Sequence, residues 1–441
     1  MSEQSSTASR TGVDPVDEVR TWLADNWNPD LTVGDWWERL GSAGWSSPIL
    51  PANAYGRGLT RNDAVRVERA IAEHGALPAP GGLGLMLAAP TIATYGTQAQ
   101  IDRFVRPIVT GQQAWCQLFS EPGAGSDLAG LQTKAERDGE EWIVTGQKVW
   151  TSGGQVADMG MLLARTDADV PKHQGISYFA FPMHQRDVVD IRPLREMTGH
   201  AVFNEVFLTE ARVNHDSLIG ELNGGWAVAN ATLGFERSSL GAGGGHSALS
   251  AAVPGTVFGD LARRAGDFVG VTASATNAMS LTGASATILS RLAREYGLGD
   301  DPILRQDITR LYSMDEIGRY GSLRAKAAAV TGRNDVPGIG NIAKLSMSAM
   351  ARLSREISLR ILGATGMLHA YTAEQAEALD AATGTPFNRQ VTEAALVSPS
   401  PSIYGGTDQV QRNIIGERVL GLPKEPNSDK VTAFRDLPKN A

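Results

Sequence analysis

The chain has 441 residues and a formal net charge of −8, which gives room for more than one core and argues against a polyanionic partner such as nucleic acid. A single cysteine, Cys116, excludes an intrachain disulfide framework, and seven histidines without paired spacing offer no zinc site. That cysteine usage makes a reduced, cytoplasmic setting the expectation, with a polar N-terminus that lacks a signal-peptide core and no run near the ~18 apolar residues of a membrane span.

Residues 1–12 read as a polar tail. The pattern from Pro15 to about Thr110 is helical. Val16, Val19, Trp22 and Leu23 share one face, and Trp36, Trp37, Leu40 and Trp45 follow. Asn62 to His74 reads as a helix that Thr60 can cap, and Gly96 to Val109 as another. From Trp115 to Leu222 the period falls to two. Met159–Ala164, Ile176–Phe181, Val188–Ile191 and Glu205–Leu208 are strand-like and separated by turn residues. From Gly225 the pattern is helical again, and Arg305–Lys326, Ile342–Leu362 and Gln409–Leu420 are long enough for a bundle. The expected architecture is α+β: a helical domain over 13–114, a β domain over 115–222 and a helical bundle over 223–424. The Gly/Ala/Ser/Thr-rich stretch from Gly241 to Ser285 reads as a helix pair or loop. Its run Gly241 to Gly245 is no dinucleotide fingerprint, because no strand precedes it.

The stretch Leu118 to Ser152 organises the rest. It opens with the loop Glu121-Pro122-Gly123-Ala124-Gly125-Ser126-Asp127, where Gly123 and Gly125 permit positive φ and close approach of a ligand. Successive N–H groups in such a loop can face an anion. A hairpin follows, turning at Asp138-Gly139-Glu140. The next strand ends in Trp150-Thr151-Ser152, an indole beside two hydroxyls. Alone, a Gly-rich loop is a turn and a strand Trp is core. Together they offer amides for a phosphate, a flat aromatic surface and hydroxyl groups, which suits a flavin dinucleotide.

This segment resembles the signature of the acyl-CoA dehydrogenase family, in which T-E-P-x-A-G-S-D precedes W-x-[TS] by about 25 residues. The resemblance runs from about Val13 to Lys424. It implies FAD as cofactor, an acyl-CoA thioester as substrate and electron-transferring flavoprotein as oxidant, in a homotetramer or a heterotetramer with a related subunit. The family reaction removes the α-proton of the acyl group to a carboxylate and the β-hydrogen as hydride to flavin N5. Many members carry that carboxylate in a C-terminal Y-E-G-T motif, which here reads Tyr404-Gly405-Gly406-Thr407 without the glutamate. Other members draw it from the first helix after the β domain, and Gly234-Phe235-Glu236-Arg237 matches that site. Glu236 lies beside the apolar stripe of Trp226, Ala229 and Leu233.

By the resemblance, Glu236 is the base and the Gly405 N–H helps bind the thioester carbonyl. Ser120, Gly125, Ser126, Trp150, Ser152, Arg305, Thr407 and Gln409 contact the cofactor, and Ser126 and Arg237 lie near the CoA chain. The family's Gln-x-x-Gly-Gly-x-Gly begins with Arg360 here. The expected function is α,β-dehydrogenation to a trans-2-enoyl-CoA. Two alternatives stand beside it: a noncatalytic or half-site subunit of a heteromeric dehydrogenase, and a flavin monooxygenase or oxidase on the same fold.

Overall fold

The computed structural model describes residues 12–240, 261–270, 284–330, 338–426 and 429–438. Helices α1 (Pro15–Asn26), α2 (Val33–Ser42) and α3 (Arg61–Glu73) form the N-terminal layer. Each is started by a side-chain cap: Asp14 accepts from the Val16 N–H, Thr32 from Asp35 and Thr60 from Asp63. The tryptophans face inward, so that Trp36, Trp37 and Trp45 are nearly inaccessible in one core with Val19, Leu23 and Leu40. A π turn over Gly84–Ala88 leads into α4 (Ala89–Tyr95), which ends at Gly96 in extended backbone. The next helix therefore begins after Gly96, where Thr97 and Gln100 form a capping box for α5 (Gln98–Gln100). It runs through a π turn, Ile101–Val105, into α6 (Arg106–Val109).

The middle of the chain is a seven-stranded sheet. Its strands are β1 (Trp115–Leu118), β2 (Lys134–Asp138), β3 (Glu141–Ser152), β4 (Met159–Arg165), β5 (Ile176–Pro182), β6 (Val189–Leu194) and β7 (Phe203–Asn214). The order is β1-β4-β2-β3-β7-β6, with β5 also paired to β4. The hairpin between β2 and β3 closes at Asp138↔Glu141, and Gly139 takes φ +59° in its turn. Strands β4 and β5 are buried almost throughout, since helices cover one side and the rest of the sheet the other.

Helix α7 (Gly225–Leu240) leaves the sheet and packs on β5, α4 and the π turn before α4. At its start an added Cβ on Gly225 would lie 2.6–2.7 Å from the Ser177–Tyr178 backbone, so only glycine allows this approach. The bundle comprises α8 (Ala286–Glu295), α9 (Pro302–Val330), α10 (Ile339–Leu362), α11 (Ala373–Thr383), α12 (Phe387–Val397) and α13 (Asp408–Ile414). Its core joins Leu289, Leu304, Leu311, Leu353, Ile357 and Ile361.

Most of the Gly241–Ser285 stretch lies outside the described residues. Its described part, 261–270, docks on the N-terminal layer, where the Val33 and Gly34 N–H groups donate to Arg263 and Leu261 carbonyls and Ala265 is buried. Beyond Lys424 the chain returns to the sheet. Phe434 N–H donates to Val170 O, Arg435 N–H to Ala168 O, and Asp429 pairs with Lys172.

Candidate functional site

The Glu121–Asp127 loop is built from its first residue. The Glu121 and Ala124 backbones exchange hydrogen bonds of 3.1 and 3.0 Å across Pro122-Gly123. Glu121 is buried, and its carboxylate accepts from Gln132 N–H at 2.6 Å, Thr133 N–H at 2.9 Å and Lys148 Nζ at 2.8 Å. Lys148 is fully buried on β3 and also donates to Phe119 O at 3.1 Å. Burial works to raise the Glu121 pKa, but the Lys148 cation and the N–H donors outweigh it and hold the carboxyl below its usual range. This pair clamps the loop to the strand that carries Trp150. At the far end of the loop Asp127 accepts from Lys172 Nζ at 2.9 Å.

Neither Gly123 nor Gly125 uses positive φ, which corrects the sequence expectation. The turn is made by Pro122-Gly123 within the Glu121–Ala124 bridge. Gly125 lies in open space, where an added Cβ meets nothing within 4 Å, and Gly125 and Ser126 are exposed.

Trp150 has an unusual backbone. The pairing of β3 with β7 shifts between Lys148↔Val206 and Thr151↔Asn204, so two residues oppose one. Trp150 sits in this bulge at φ +61°, where a side chain costs energy. The bulge turns the indole out: Trp150 is 55% exposed and touches Phe203 edge to face at 5.7 Å. The Val149 N–H donates to Ser120 O at 2.9 Å, which brings Ser120 and the loop beside the indole. Thr151 Oγ1 is buried without a hydrogen-bond partner among the described residues, and Ser152 is half-buried at the strand end.

Glu236 stands on α7, half-buried, beside Leu233 and Phe235, which pack with Trp226, Leu83, Leu85 and Met86 against the largest core. Arg237 lies on the same helix, and its side chain is outside the described residues. Gly405 and Gly406 take φ +62° and +83°. Thr407 caps α13 by accepting from Val410 N–H, and Gln409 is exposed on its first turn. Gln411 Nε2 donates to both glycine carbonyls and Asn341 donates to Gln411, bonds that tie this segment to α10 rather than to the sheet. A Cβ on Gly405 would meet Lys344 Cε at 3.4 Å, and Lys344 donates to Pro401 O. Arg305 is exposed near the start of α9. Arg360 pairs with Asp307 at 3.0 Å, so its charge fastens α10 to α9.

The Val149–Ser120 bond thus joins Ser120, at the start of the loop that carries Gly125 and Ser126, to the strand that carries Trp150 and Ser152, Glu236 lies on the helix behind the sheet, and Gly405–Gln409 belongs to the bundle. The sequence reading missed Lys148, whose signal is a cation among apolar neighbours in a strand. It also missed Lys172, Lys344 and the docking of 429–438. The residues present fit FAD: an exposed indole face, an open glycine loop and a buried, unbonded hydroxyl on the residue after the indole.

The chain matches the models of the acyl-CoA dehydrogenase N-terminal domain over residues 13–112, middle domain over 116–210 and C-terminal domain over 263–420. It is 33% identical over 426 residues to acyl-CoA dehydrogenase IpdE1 of Mycobacterium tuberculosis, covering 92% of this chain and 97% of that one. It is 34% identical over 386 residues to acyl-CoA dehydrogenase FadE34 of the same organism, covering 87% of this chain and 46% of that one. Among solved structures it superposes on the Tcur3481-Tcur3483 steroid ACAD with a TM-score of 0.64 at 24% identity, covering 93% of this chain and 97% of that one. The ChsE4-ChsE5 complex of Mycobacterium tuberculosis gives 0.61 at 24%, covering 96% and 100%. The chain belongs to the acyl-CoA dehydrogenase family of FAD-dependent oxidoreductases.

Proposed function

We propose that the chain dehydrogenates an acyl-CoA thioester to its trans-2-enoyl-CoA, with Glu236 as the base. The observation that carries this reading is the placement of Glu236, a half-buried carboxylate on α7 that follows Leu233 and Phe235, which pack with Leu83, Leu85, Met86 and Trp226 against the core. Such a wall takes an apolar acyl chain and holds its α-carbon against the carboxylate. Glu236 accepts the α-proton. The Gly405 N–H donates to the thioester carbonyl and stabilises charge that develops there. Ser126 and Arg237 border the CoA chain. Ser120, Gly125, Ser126, Trp150 and Ser152 hold the cofactor, with Arg305, Thr407 and Gln409 as further contacts. FAD, when bound, supplies the acceptor for the β-hydride. Anaerobic titration with straight, branched and ring-bearing acyl-CoAs tests the reading. Flavin bleaching with one class, and turnover with an artificial acceptor, are expected. Oxygen uptake in place of acceptor reduction would select the oxidase or monooxygenase reading.

The paired chains of the Tcur3481-Tcur3483 and ChsE4-ChsE5 structures favour a second reading for assembly, in which this chain joins a related subunit. Helix α9 leaves an apolar face open, with Ile303 63%, Ile317 66%, Tyr320 60% and Leu323 50% exposed. A tetramer, homomeric or two-plus-two, would cover it, and electron-transferring flavoprotein in the cytoplasm would reoxidise it. Among the described residues no helix is long and apolar enough to cross a membrane. Light scattering of the protein expressed with and without its neighbours' chains tests this; a monomer that retains FAD would contradict it.

The strained, exposed indole gives a further prediction. Trp150→Gly removes the unfavourable φ and only one ring contact, so the apoprotein should be as stable as the parent or more so. FAD retention should fall, because base and flavin rings gain about 1–3 kcal/mol from aromatic stacking. Apoprotein melting and FAD titration by fluorescence check both halves. A destabilised apoprotein with normal FAD affinity would make Trp150 a packing residue.

A further inference from the structure

A buried trio of hydroxyls lies beneath the helix that carries Glu236. Thr91 on α4 and Thr232 on α7 are both fully buried, and their Oγ1 atoms lie 2.9 Å apart. Thr232 also donates to the Val228 carbonyl one turn back, at 3.0 Å. Its single proton is thereby used, so Thr91 is the donor in the Thr91–Thr232 bond. Tyr178 on β5 is fully buried, and its hydroxyl makes no hydrogen bond among the described residues, with Thr91 and Thr232 the polar side chains nearest in influence on it. The Tyr178 ring stands edge to face on Phe119 at 6.0 Å, and Phe119 precedes Ser120 in the flavin loop.

Three points make this more than core filling. Valine has the shape of threonine and would fill the same space without burying a hydroxyl, which costs free energy unless it is bonded. A threonine bonded to the carbonyl four residues back also bends its helix slightly, and Thr232 lies one turn before Glu236, on the same face. Finally, α7 is held twice, to β5 by the close Gly225 contact with the Ser177–Tyr178 backbone and to α4 by the Thr91–Thr232 hydrogen bond two turns on. The first contact fixes where the helix starts. The second sets its roll, and therefore the direction in which Glu236 projects.

We propose that Thr91, Thr232 and Tyr178 are positioning residues, which act through α7 to hold the Glu236 carboxylate at the reacting carbon. This rests on Glu236 being the base. Hydroxyl removal that leaves the packing intact should lower kcat and leave substrate affinity near its parent value, since a displacement of about 1 Å can cost up to 10²-fold in rate.

The test is a double-mutant cycle on the FAD-loaded enzyme, following anaerobic flavin bleaching by an acyl-CoA that the parent turns over. Thr232→Val is expected to slow bleaching about 10–100-fold with little change in KM, and Thr232→Ser, which keeps the hydroxyl, to restore it. In the Glu236→Gln background, Thr232→Val is expected to add nothing, because the group it positions is gone. An equal further loss in that background would show that Thr232 acts through general packing and would overturn the proposal. Parent-like bleaching in Thr232→Val, with Glu236→Gln inactive, would overturn the positioning role and leave the base standing. Parent-like bleaching in Glu236→Gln would remove the base and the positioning role with it. Should Thr232→Val fail to fold, Thr91→Val and Tyr178→Phe take its place in the same cycle, with the same readings.

Discussion

Glu236→Gln is expected to keep the fold and the FAD content of the parent and to lose about 10²–10⁴-fold in turnover, the usual share of a general base. The amide has the size of the carboxylate, so Leu233, Phe235 and Trp226 of the same helix keep their packing against the core. What disappears is the basicity that the proposed role requires. Substrate binding should survive, because in the proposed function the thioester carbonyl is bound by the Gly405 N–H and the cofactor, and neither is altered. KM should therefore stay near the parent value while kcat falls, the pattern of an interaction that matters in the transition state. Slow anaerobic bleaching in a protein that purifies with the parent's flavin absorbance is the measurement. Near-parent turnover would sink the assignment and favour the reading of this chain as the noncatalytic partner in a heteromeric pair. Gly405 cannot stand in for the base: it has no side chain, and it sits at φ +62° with Lys344 behind it.

The parts of the molecule that read well from sequence are those with short-range causes. The caps at Thr60 and the hairpin at Gly139 are set by residues within four positions of each other, and both fold as expected. Strand β7 runs on to Asn214, past the expected Leu208, because Ala211 and Val213 continue the buried alternation after an irregular Thr209-Glu210 step in which Glu210 takes φ +56°. A bulge hides from a period-two count. The same blindness affects Trp150: strict alternation from the buried Lys148 would place residue 150 on the buried face, and only the extra residue in the bulge turns the indole outward. The pairs Glu121–Lys148, Thr91–Thr232 and Lys172–Asp429 join residues far apart in the chain, and no local pattern announces them. The fold around the candidate site was thus legible where a pattern is contiguous, and hidden where distant residues support it from behind.

The strongest of those hidden supports should be visible in stability. Lys148→Met is expected to destabilise the protein by about 3–5 kcal/mol, the cost of leaving one member of a buried ion pair without its partner. Glu121 would keep its bonds from Gln132 and Thr133 but lose the cation that holds its charge in a buried setting. Changing both residues, Lys148→Met with Glu121→Gln, should cost less than the sum of the two single changes, because no charge is then left buried. Since folding holds the Glu121 pKa below its unfolded value, the pair's contribution is complete above the unfolded carboxyl pKa of about 4.3 and is lost as pH falls through the lower folded value. Lys148→Met should accordingly show less loss of stability on acidification than the parent. FAD retention should fall with the same substitution, because Glu121 opens the phosphate loop and Lys148 lies two residues before Trp150. Denaturant unfolding of apoprotein and holoprotein at neutral and acid pH separates these effects. If Lys148→Met unfolds like the parent at neutral pH, the pair does not clamp the loop, and the loop's geometry must then come from the Glu121–Ala124 turn alone.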